Sequence, residues 1–527
     1  MRTSTWILRD LSRRPAHSPW VAWLSAMLWL VCPAAAFAED PVLASAAVTN
    51  AADLRARLSA YLDRPLFSTA EWGVKVISLD TGATVFERNP QKPLIPASNT
   101  KLFTAALVLD RLGPNYRIRT SLLARKEADR RGRVAGDLVL YGRGDPSWSS
   151  FYPSGNLSAS LGRLAESLAR SGVRTVRGEL IADESYFLGP PFGSGWAIED
   201  LDSYYSPEVS ALSLQDNVAE WVVLPGRRVG SPASLVFSTP VSPLIAQNHL
   251  LTSAEGTPAS LQSERLLGQN VLRVWGDVPL GVLPLTNVVT VHRPAEWFGQ
   301  LFRAAAIQRG IRIEGGVHTL DGFERAPAPL RTNDWTELGS IESPPMSELV
   351  QAMMKPSNNL YAQLLFLQVG ALGSAQNARI NTEGRAVEAM RRFLKPILVG
   401  HPEPHLEEGA GLSRRNAVCA ESIVTLLKYM DHHPASGVYK DSMPVAGVDG
   451  TLRGRMRHTA AENNLRGKTG TLRGVNSLSG YVTTATGERL AFSILLNQYV
   501  STDPKRPARD ELDGLAILLA EFQGVSR

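Results

Sequence analysis

Three short polar stretches constrain this 527-residue chain more than anything else in it. The first is Ser98-Asn99-Thr100-Lys101, which heads an apolar run through Leu102, Phe103, Ala105, Ala106, Leu107 and Leu109. The second is Ser357-Asn358-Asn359, directly after Lys355-Pro356. The third is Lys468-Thr469-Gly470-Thr471. Pro96 ends an extended segment, the pattern from Ser98 is helical, and Gly113-Pro114 stops it. Ser98 thus falls in a first helical turn, where free N–H groups and the helix dipole favour negative charge. Lys101, three residues on, shares its face. A serine hydroxyl is a poor nucleophile until a base takes its proton. A lysine buried among apolar neighbours has a lowered pKa and can be that base. Taken alone, Ser-x-x-Lys is common and reads as a solvated pair at the start of a core helix. The second and third stretches, in that order, change the reading.

The N-terminus sets the compartment. Met1 to Pro19 carries Arg2, Arg9, Arg13 and Arg14 against Asp10, and Trp20 to Val31 is apolar. Ala36-Phe37-Ala38 is a small-x-small cleavage site. Residues 1–38 are expected to be a secretory signal peptide, with an apolar run too short for a membrane span. An uncleaved signal anchor is the alternative, and the export route, general or twin-arginine, stays open. Removing the leader takes four Arg and one Asp from a formal net charge of +5, leaving +2. No basic run suggests nucleic acid as a partner. Cys32 lies in the leader, so Cys419 has no intramolecular disulfide partner. The remaining chain is too long for one core, and two or three domains are expected.

Periodicity places the motifs. Ala51 to Leu62 reads as a helix; Trp72 to Leu79 and Ala83 to Phe86 read as a hairpin about Asp80-Thr81-Gly82. The Ser98 helix follows. Ser357 stands at a break between helices over Ser347 to Met354 and Leu360 to Val369. Further helices are expected over Glu296 to Gly310, Asn381 to Leu394 and Cys419 to His432. Ser477 to Thr484 and Arg489 to Asn497 are an antiparallel pair of a central sheet. Asp510 to Phe522 is a helix whose polar face is acidic, which suits packing on that sheet better than membrane anchoring. His401-Pro402-Glu403-Pro404-His405 lacks the helix that paired histidine ligands use, and is expected to be a solvated loop.

Ser98 and Ser357 are separated by a stretch with a different texture. From about Tyr116 to Val291 short β-like runs recur, punctuated by Pro and Gly. They include Ala135 to Tyr141, Val176 to Ala182, Ala219 to Leu224 and Asn270 to Trp275, with one helix candidate at Leu161 to Ser171. This region is expected to be one or two β-rich inserted domains. The expected division is a leader at 1–38, a first half-domain at 39–115, the insert at 116–291, and the second half-domain at 292–527.

Ser-x-x-Lys, Ser-x-Asn and Lys-Thr-Gly in that order form the signature of penicillin-binding proteins and serine β-lactamases. Over nearly the whole exported length, the chain resembles the low-molecular-mass class C penicillin-binding proteins, secreted D-alanyl-D-alanine carboxypeptidase/endopeptidases. Gly409-Ala410-Gly411-Leu412-Ser413-Arg414 is similar to a family Asp-Gly-Ser-Gly-Leu-Ser-Arg segment, with Glu408 and Ala410 as departures from it. Met443 to Leu452 and Lys468 to Tyr481 are also similar. The resemblance implies an α/β (α+β) penicillin-recognising serine-enzyme fold, an antiparallel sheet with helices on both faces, carrying large β-rich inserts.

It also implies roles. Ser98 would attack the carbonyl between two terminal D-alanines, with Lys101 as base. Ser357 would relay the proton to the leaving amine, and Asn359 would hold Lys101 and the substrate amide. Lys468 and Thr469 would receive the substrate's terminal carboxylate, and Gly470 would let its backbone approach the strand edge. The N–H groups of Ser98 and Thr471 would form the oxyanion hole. Asp183, at the end of the β-like run Val176 to Ala182, would read the free amine of the stem-peptide side chain. The implied partners are peptidoglycan peptides and β-lactam antibiotics, with no metal or organic cofactor and a periplasmic location. Two rivals stand beside this: a serine β-lactamase, and a non-catalytic cell-wall binding protein.

Overall fold

The computed structural model describes residues 48–152, 155–239, 241–325, 330–372, 380–501, 503 and 506–526. The expected leader lies outside the described residues.

Helix α1 (Ala51–Leu62) starts at Asn50, whose Oδ1 accepts from the N–H of Asp53 at 2.8 Å. That cap satisfies one of the free donors of a first turn. Strands β1 (Glu71–Ser78) and β2 (Thr84–Arg88) form the expected hairpin. Helix α2 (Thr100–Leu112) follows and ends at Gly113, in the left-handed region at φ 78°. Its apolar residues from Leu102 to Leu109 are all buried.

The chain then enters a second unit built from β3 (Arg119–Ala124), β4 (Arg133–Val134), β5 (Leu138–Tyr141), α3 (Leu157–Arg170), β6 (Thr175–Val176) and β7 (Leu180–Asp183). It continues through β8 (Val218–Leu224), β9 (Ser234–Phe237), β10 (Ile245–Ser253), β11 (Gln262–Arg265), β12 (Val271–Pro279) and β13 (Leu285–Thr290). It closes with α4 (Pro294–Gln308), β14 (Arg312–Ile313), β15 (Val317–Leu320), the short α5 (Gly322–Arg325) and β16 (Thr336–Glu342). One five-stranded sheet runs β15-β7-β5-β3-β16, and three small sheets run β14-β6-β4, β13-β8-β9 and β10-β12-β11. A single apolar core joins them, with Leu164, Trp221, Val274, Trp297 and Phe302 among its members. The boundary expected at residue 291 falls inside this unit, because α4 shares its core and β14, β15 and β16 pair with its strands. The amphipathic pattern of Glu296 to Gly310 announces a helix correctly but does not say which sheet the helix covers. The two ends meet where the N–H of Ile118 donates to Ser343 Oγ at 2.9 Å and the N–H of Ser343 to the Ile118 carbonyl at 2.8 Å.

Beyond Ser343 come α6 (Met346–Met354), α7 (Asn359–Leu372), α8 (Thr382–Leu394), α9 (Ala420–Asp431) and α10 (Ser436–Ser442). The chain finishes with β17 (Arg466–Leu472), β18 (Val475–Thr483), β19 (Arg489–Asn497) and α11 (Ala508–Glu521). The principal sheet runs β17-β18-β19-β1-β2, so strands from both ends of the sequence share it. All four of its pairings are antiparallel. Side chains alternate across it. Ala491 and Leu495 face a core shared with α2 and α9, while Leu490, Phe492 and Ile494 face one shared with α1 and α11. The fold is thus mixed α/β, an antiparallel sheet with helices on both faces. Among the described residues no helix is long and apolar enough to cross a membrane.

Candidate active site

Ser98 lies in a single 3₁₀ turn, Ala97–Asn99, that leads directly into α2. Ala97 is left-handed at φ 48°. The turn is pinned to the sheet from below. Asn99 Nδ2 donates to the Lys468 carbonyl at 3.1 Å and to Ser477 Oγ at 2.6 Å, and Ser477 Oγ donates to the Pro96 carbonyl at 2.8 Å. Gly470 sits where this contact is closest. A Cβ there would lie 2.2 Å from Ser477 Oγ, 2.7 Å from the Pro96 oxygen and 2.9 Å from Ser98 N. The absent side chain is what lets β17 approach the Ser98 turn.

Lys101 points back along α2 to Ser98. Its Nζ donates to Ser98 Oγ at 2.9 Å, to Asn359 Oδ1 at 2.6 Å and to the Ala410 carbonyl at 2.5 Å. Three acceptors match the three donors of an ammonium. The side chain is wholly buried. Burial lowers its pKa to about 7, against the opposing pull of the Glu408 carboxylate. In the neutral amine, two N–H bonds can keep Asn359 and Ala410 while the lone pair faces Ser98 Oγ. That arrangement can take the hydroxyl proton.

Ser357 lies between α6 and α7 with φ 65°, in the left-handed region. Its Oγ accepts from Lys468 Nζ at 2.8 Å. Lys468 also donates to the Thr469 carbonyl at 2.9 Å and is fully buried. Burial, then the nearness of Lys101, holds its pKa well below the ordinary lysine range. The ammonium expected to wait for a carboxylate therefore rests on Ser357. Thr469 Oγ1 lies 2.7 Å from Thr451 Oγ1. Thr471 continues β17 opposite Asn476 and is exposed. β17 is an outer strand of the sheet; its other edge meets Pro444 and Val445 at Arg466 and Gly467, and among the described residues no strand pairs with it beside Thr471.

Eight of the nine residues expected from sequence thus belong to one constellation. Asp183 does not join it. It ends β7, its side chain is wholly buried, and Oδ2 accepts from Arg325 Nε at 2.9 Å and Nη2 at 2.7 Å. A carboxylate already neutralised and shielded cannot receive a substrate amine, so the expected role is corrected to a structural ion pair. Its partner lies 142 residues away, beyond the reach of local pattern.

Several participants carried no clear signal. The Glu408 carboxylate accepts from the N–H groups of Ala410 at 2.8 Å and Gly411 at 2.7 Å, and from Asn416 Nδ2 at 2.6 Å. It shapes the loop whose carbonyl binds Lys101, and Trp196 Nε1 of the inserted unit donates to it at 3.2 Å. Asn359 Nδ2 donates to the Tyr205 carbonyl of the inserted unit at 2.8 Å. Only Glu408 was visible beforehand, as a departure from the family segment.

The fold and this constellation define a penicillin-recognising serine enzyme. The crystal structure of penicillin binding protein 4 (dacB) from Haemophilus influenzae superposes with a TM-score of 0.75 at 22% identity, covering 90% of this chain and 100% of that one. The chain belongs to the D-Ala-D-Ala carboxypeptidase 3 (S13) family, which it matches over residues 54–518, and is a low-molecular-mass class C penicillin-binding protein. It is 35% identical to the D-alanyl-D-alanine carboxypeptidase of Actinomadura sp. (strain R39), over 93% of this chain and 89% of that protein. It is 25% identical to the D-alanyl-D-alanine carboxypeptidase DacB of Haemophilus influenzae, over 81% of this chain and 85% of that protein.

Proposed function

We propose that this chain removes the terminal D-alanine from peptidoglycan stem peptides through an acyl-enzyme on Ser98. It is a serine-type D-alanyl-D-alanine carboxypeptidase. The observation that carries the reading is the buried Lys101 amine, 2.9 Å from Ser98 Oγ, with a pKa lowered to about 7. Ser98 Oγ attacks the carbonyl between the two D-alanines as its proton passes to Lys101. The N–H groups of Ser98 and Thr471 receive the oxyanion. Ser357 relays the proton taken up by Lys101 to the departing D-alanine amine, giving its own and receiving that one in return, and the C–N bond breaks. Water then cleaves the ester and restores Ser98. Lys468 and Thr469 serve the substrate carboxylate, with Lys468 shared between that group and Ser357.

The same acyl chemistry applies when the leaving amine belongs to a neighbouring strand, so endopeptidase action on cross-links is part of the proposal. β-Lactams would acylate Ser98 as stalled substrates; a crystal structure of the Haemophilus influenzae protein is a complex with one. The basic, apolar and small-residue pattern of 1–38 supports export to the cell envelope. On this reading, a transpeptidase-like domain is interrupted by the β-rich unit between Ile118 and Ser343.

The test is labelled penicillin together with muropeptide digestion. The parent protein should carry the label on Ser98, release D-alanine from pentapeptides and convert cross-linked dimers to monomers; intact dimers would limit it to carboxypeptidase action. Ser98→Ala should take no label while melting at the parent temperature. A penicilloyl adduct on that variant would overturn the assignment.

A further inference from the structure

Two left-handed turns meet beside the site, one from each unit. Ser357 has φ 65°, and Gln215, Asp216 and Asn217 have φ 49°, 53° and 54°. Such conformations cost a residue with a side chain on the order of 1–3 kcal/mol and persist only where the surroundings over-determine them. The turn of the inserted unit is held firmly. The N–H of Gln215 donates to the Trp148 carbonyl at 2.7 Å, and Asn217 Oδ1 accepts from the N–H of Leu214 at 2.9 Å. Asn217 Nδ2 donates to the Glu208 carbonyl at 2.7 Å and to Ser213 Oγ at 2.9 Å.

What that turn delivers is the Asp216 carboxylate. Its Oδ2 accepts from Asn358 Nδ2 at 2.8 Å. Asn358 immediately precedes α7, and its Oδ1 accepts from the N–H of Tyr361 at 3.1 Å, as a helix cap does. An amide side chain has one accepting and one donating end, and an ionised carboxylate can only accept. The N–H of Tyr361 can only donate, so the Asn358 oxygen faces the helix and its nitrogen faces Asp216, and this one amide joins the cap of α7 to the inserted unit. Burial raises the Asp216 pKa above the ordinary carboxylate range, and the Asn358 amide and the nearby Ser149 hydroxyl oppose that rise. The residues on either side of Asn358 are the two that bind the lysines: Ser357 Oγ accepts from Lys468, and Asn359 Oδ1 from Lys101.

We propose that Asp216 is a positioning residue of the reaction, carried by the inserted unit, which fixes the cap of α7 and so holds Ser357 and Asn359 against their lysines. It touches neither substrate nor reacting atoms. This inference rests on the acyl-enzyme reading above. A misplacement of about 1 Å in a reacting constellation can cost roughly 10²-fold in rate.

The test is the rate of acylation by labelled penicillin, resolved into non-covalent affinity and bond formation. Asp216→Ala should slow bond formation roughly 10- to 100-fold, with affinity within about 3-fold of the parent. Asn358→Ala should do the same from the other side, without altering the inserted unit. The double variant should be no slower than either single one, because the two residues act as a pair. Asp216→Asn keeps an acceptor and should recover most of the rate lost in Asp216→Ala. Parent-like acylation by Asp216→Ala, multiplicative losses in the double variant, or no recovery with Asp216→Asn would each overturn the proposal. Should Asp216→Ala not fold, Asn358→Ala and Asp216→Asn decide the matter by the same criteria. Absence of label on the parent protein would instead refute the acyl-enzyme reading itself.

Discussion

Lys468 Nζ stands 2.8 Å from Ser357 Oγ, so the third polar stretch of the sequence is hydrogen-bonded to the second. The first is tied to the second in the same way, through Lys101 Nζ and Asn359 Oδ1 at 2.6 Å. Each lysine holds one residue of the Ser357–Asn359 turn.

On the proposed mechanism Lys468 therefore serves both Ser357 and the substrate carboxylate. Lys468→Ala should slow acylation at least about 10-fold with a peptide bearing a free terminal carboxylate, and with the same peptide amidated there. Rates measured on both substrates check this. A loss confined to the free acid would assign Lys468 to the carboxylate alone.

On the proposed mechanism Lys101 has to be neutral to accept the Ser98 proton, and burial lowers its pKa to about 7. Acylation should rise with pH through that value and level off above it. Glu408 raises the Lys101 pKa, so Glu408→Gln should move the rising limb to lower pH. The same shift governs stability. In the unfolded chain Lys101 keeps its ordinary pKa of 10.5, so between about 7 and 10.5 the unfolded state binds the extra proton. Stability should gain from this residue as pH rises across that window. Lys101→Met should remove that part of the slope, read by denaturant melts at several pH values. An unchanged slope would mean that the buried amine is not depressed.

Asp183 and Arg325 form a buried ion pair, and breaking one partner of such a pair typically costs roughly 3–5 kcal/mol. Asp183→Asn should lower the melting temperature while the folded protein acylates with penicillin at the parent rate. The KM for a peptide with a free side-chain amine should also stay at the parent value. A selective rise in that KM would restore Asp183 as a substrate reader.

Local pattern carried the elements and the motifs. The helix at Ala51–Leu62, the strand at Arg489–Asn497 and the polar residues of the three stretches needed only periodicity and spacing to be found. What local pattern could not carry is partnership across the chain. The role expected of Asp183 rested on the family resemblance and its place at the end of a β-like run, but Arg325, 142 residues downstream, occupies its carboxylate. The boundary at residue 291 failed for the same reason, since a helix pattern does not name the sheet it covers. Asn99 stood inside the first motif, but its part in pinning the Ser98 turn depends on Lys468 and Ser477, 369 and 378 residues on. Asp216 and Tyr205 had no such marker, because their importance arises from which turn they happen to face.

Ile118 and Ser343 are 225 residues apart and hydrogen-bonded to each other. The strands just inside them pair antiparallel, Thr336 with Ala124 through to Glu342 with Arg119. For a growing chain this has a temporal meaning. The Ser98 turn and helix α2 are synthesised early, and the apolar face of α2 has to wait for α7 as the turn waits for β17. The entropy of closing a loop grows only slowly with its length. Once β3 and β16 have zipped together, the host sees a short crossing in place of a 225-residue excursion. The inserted unit is thus closed at its base like a clasp, holding the two halves of its host within hydrogen-bonding distance at Ile118 and Ser343.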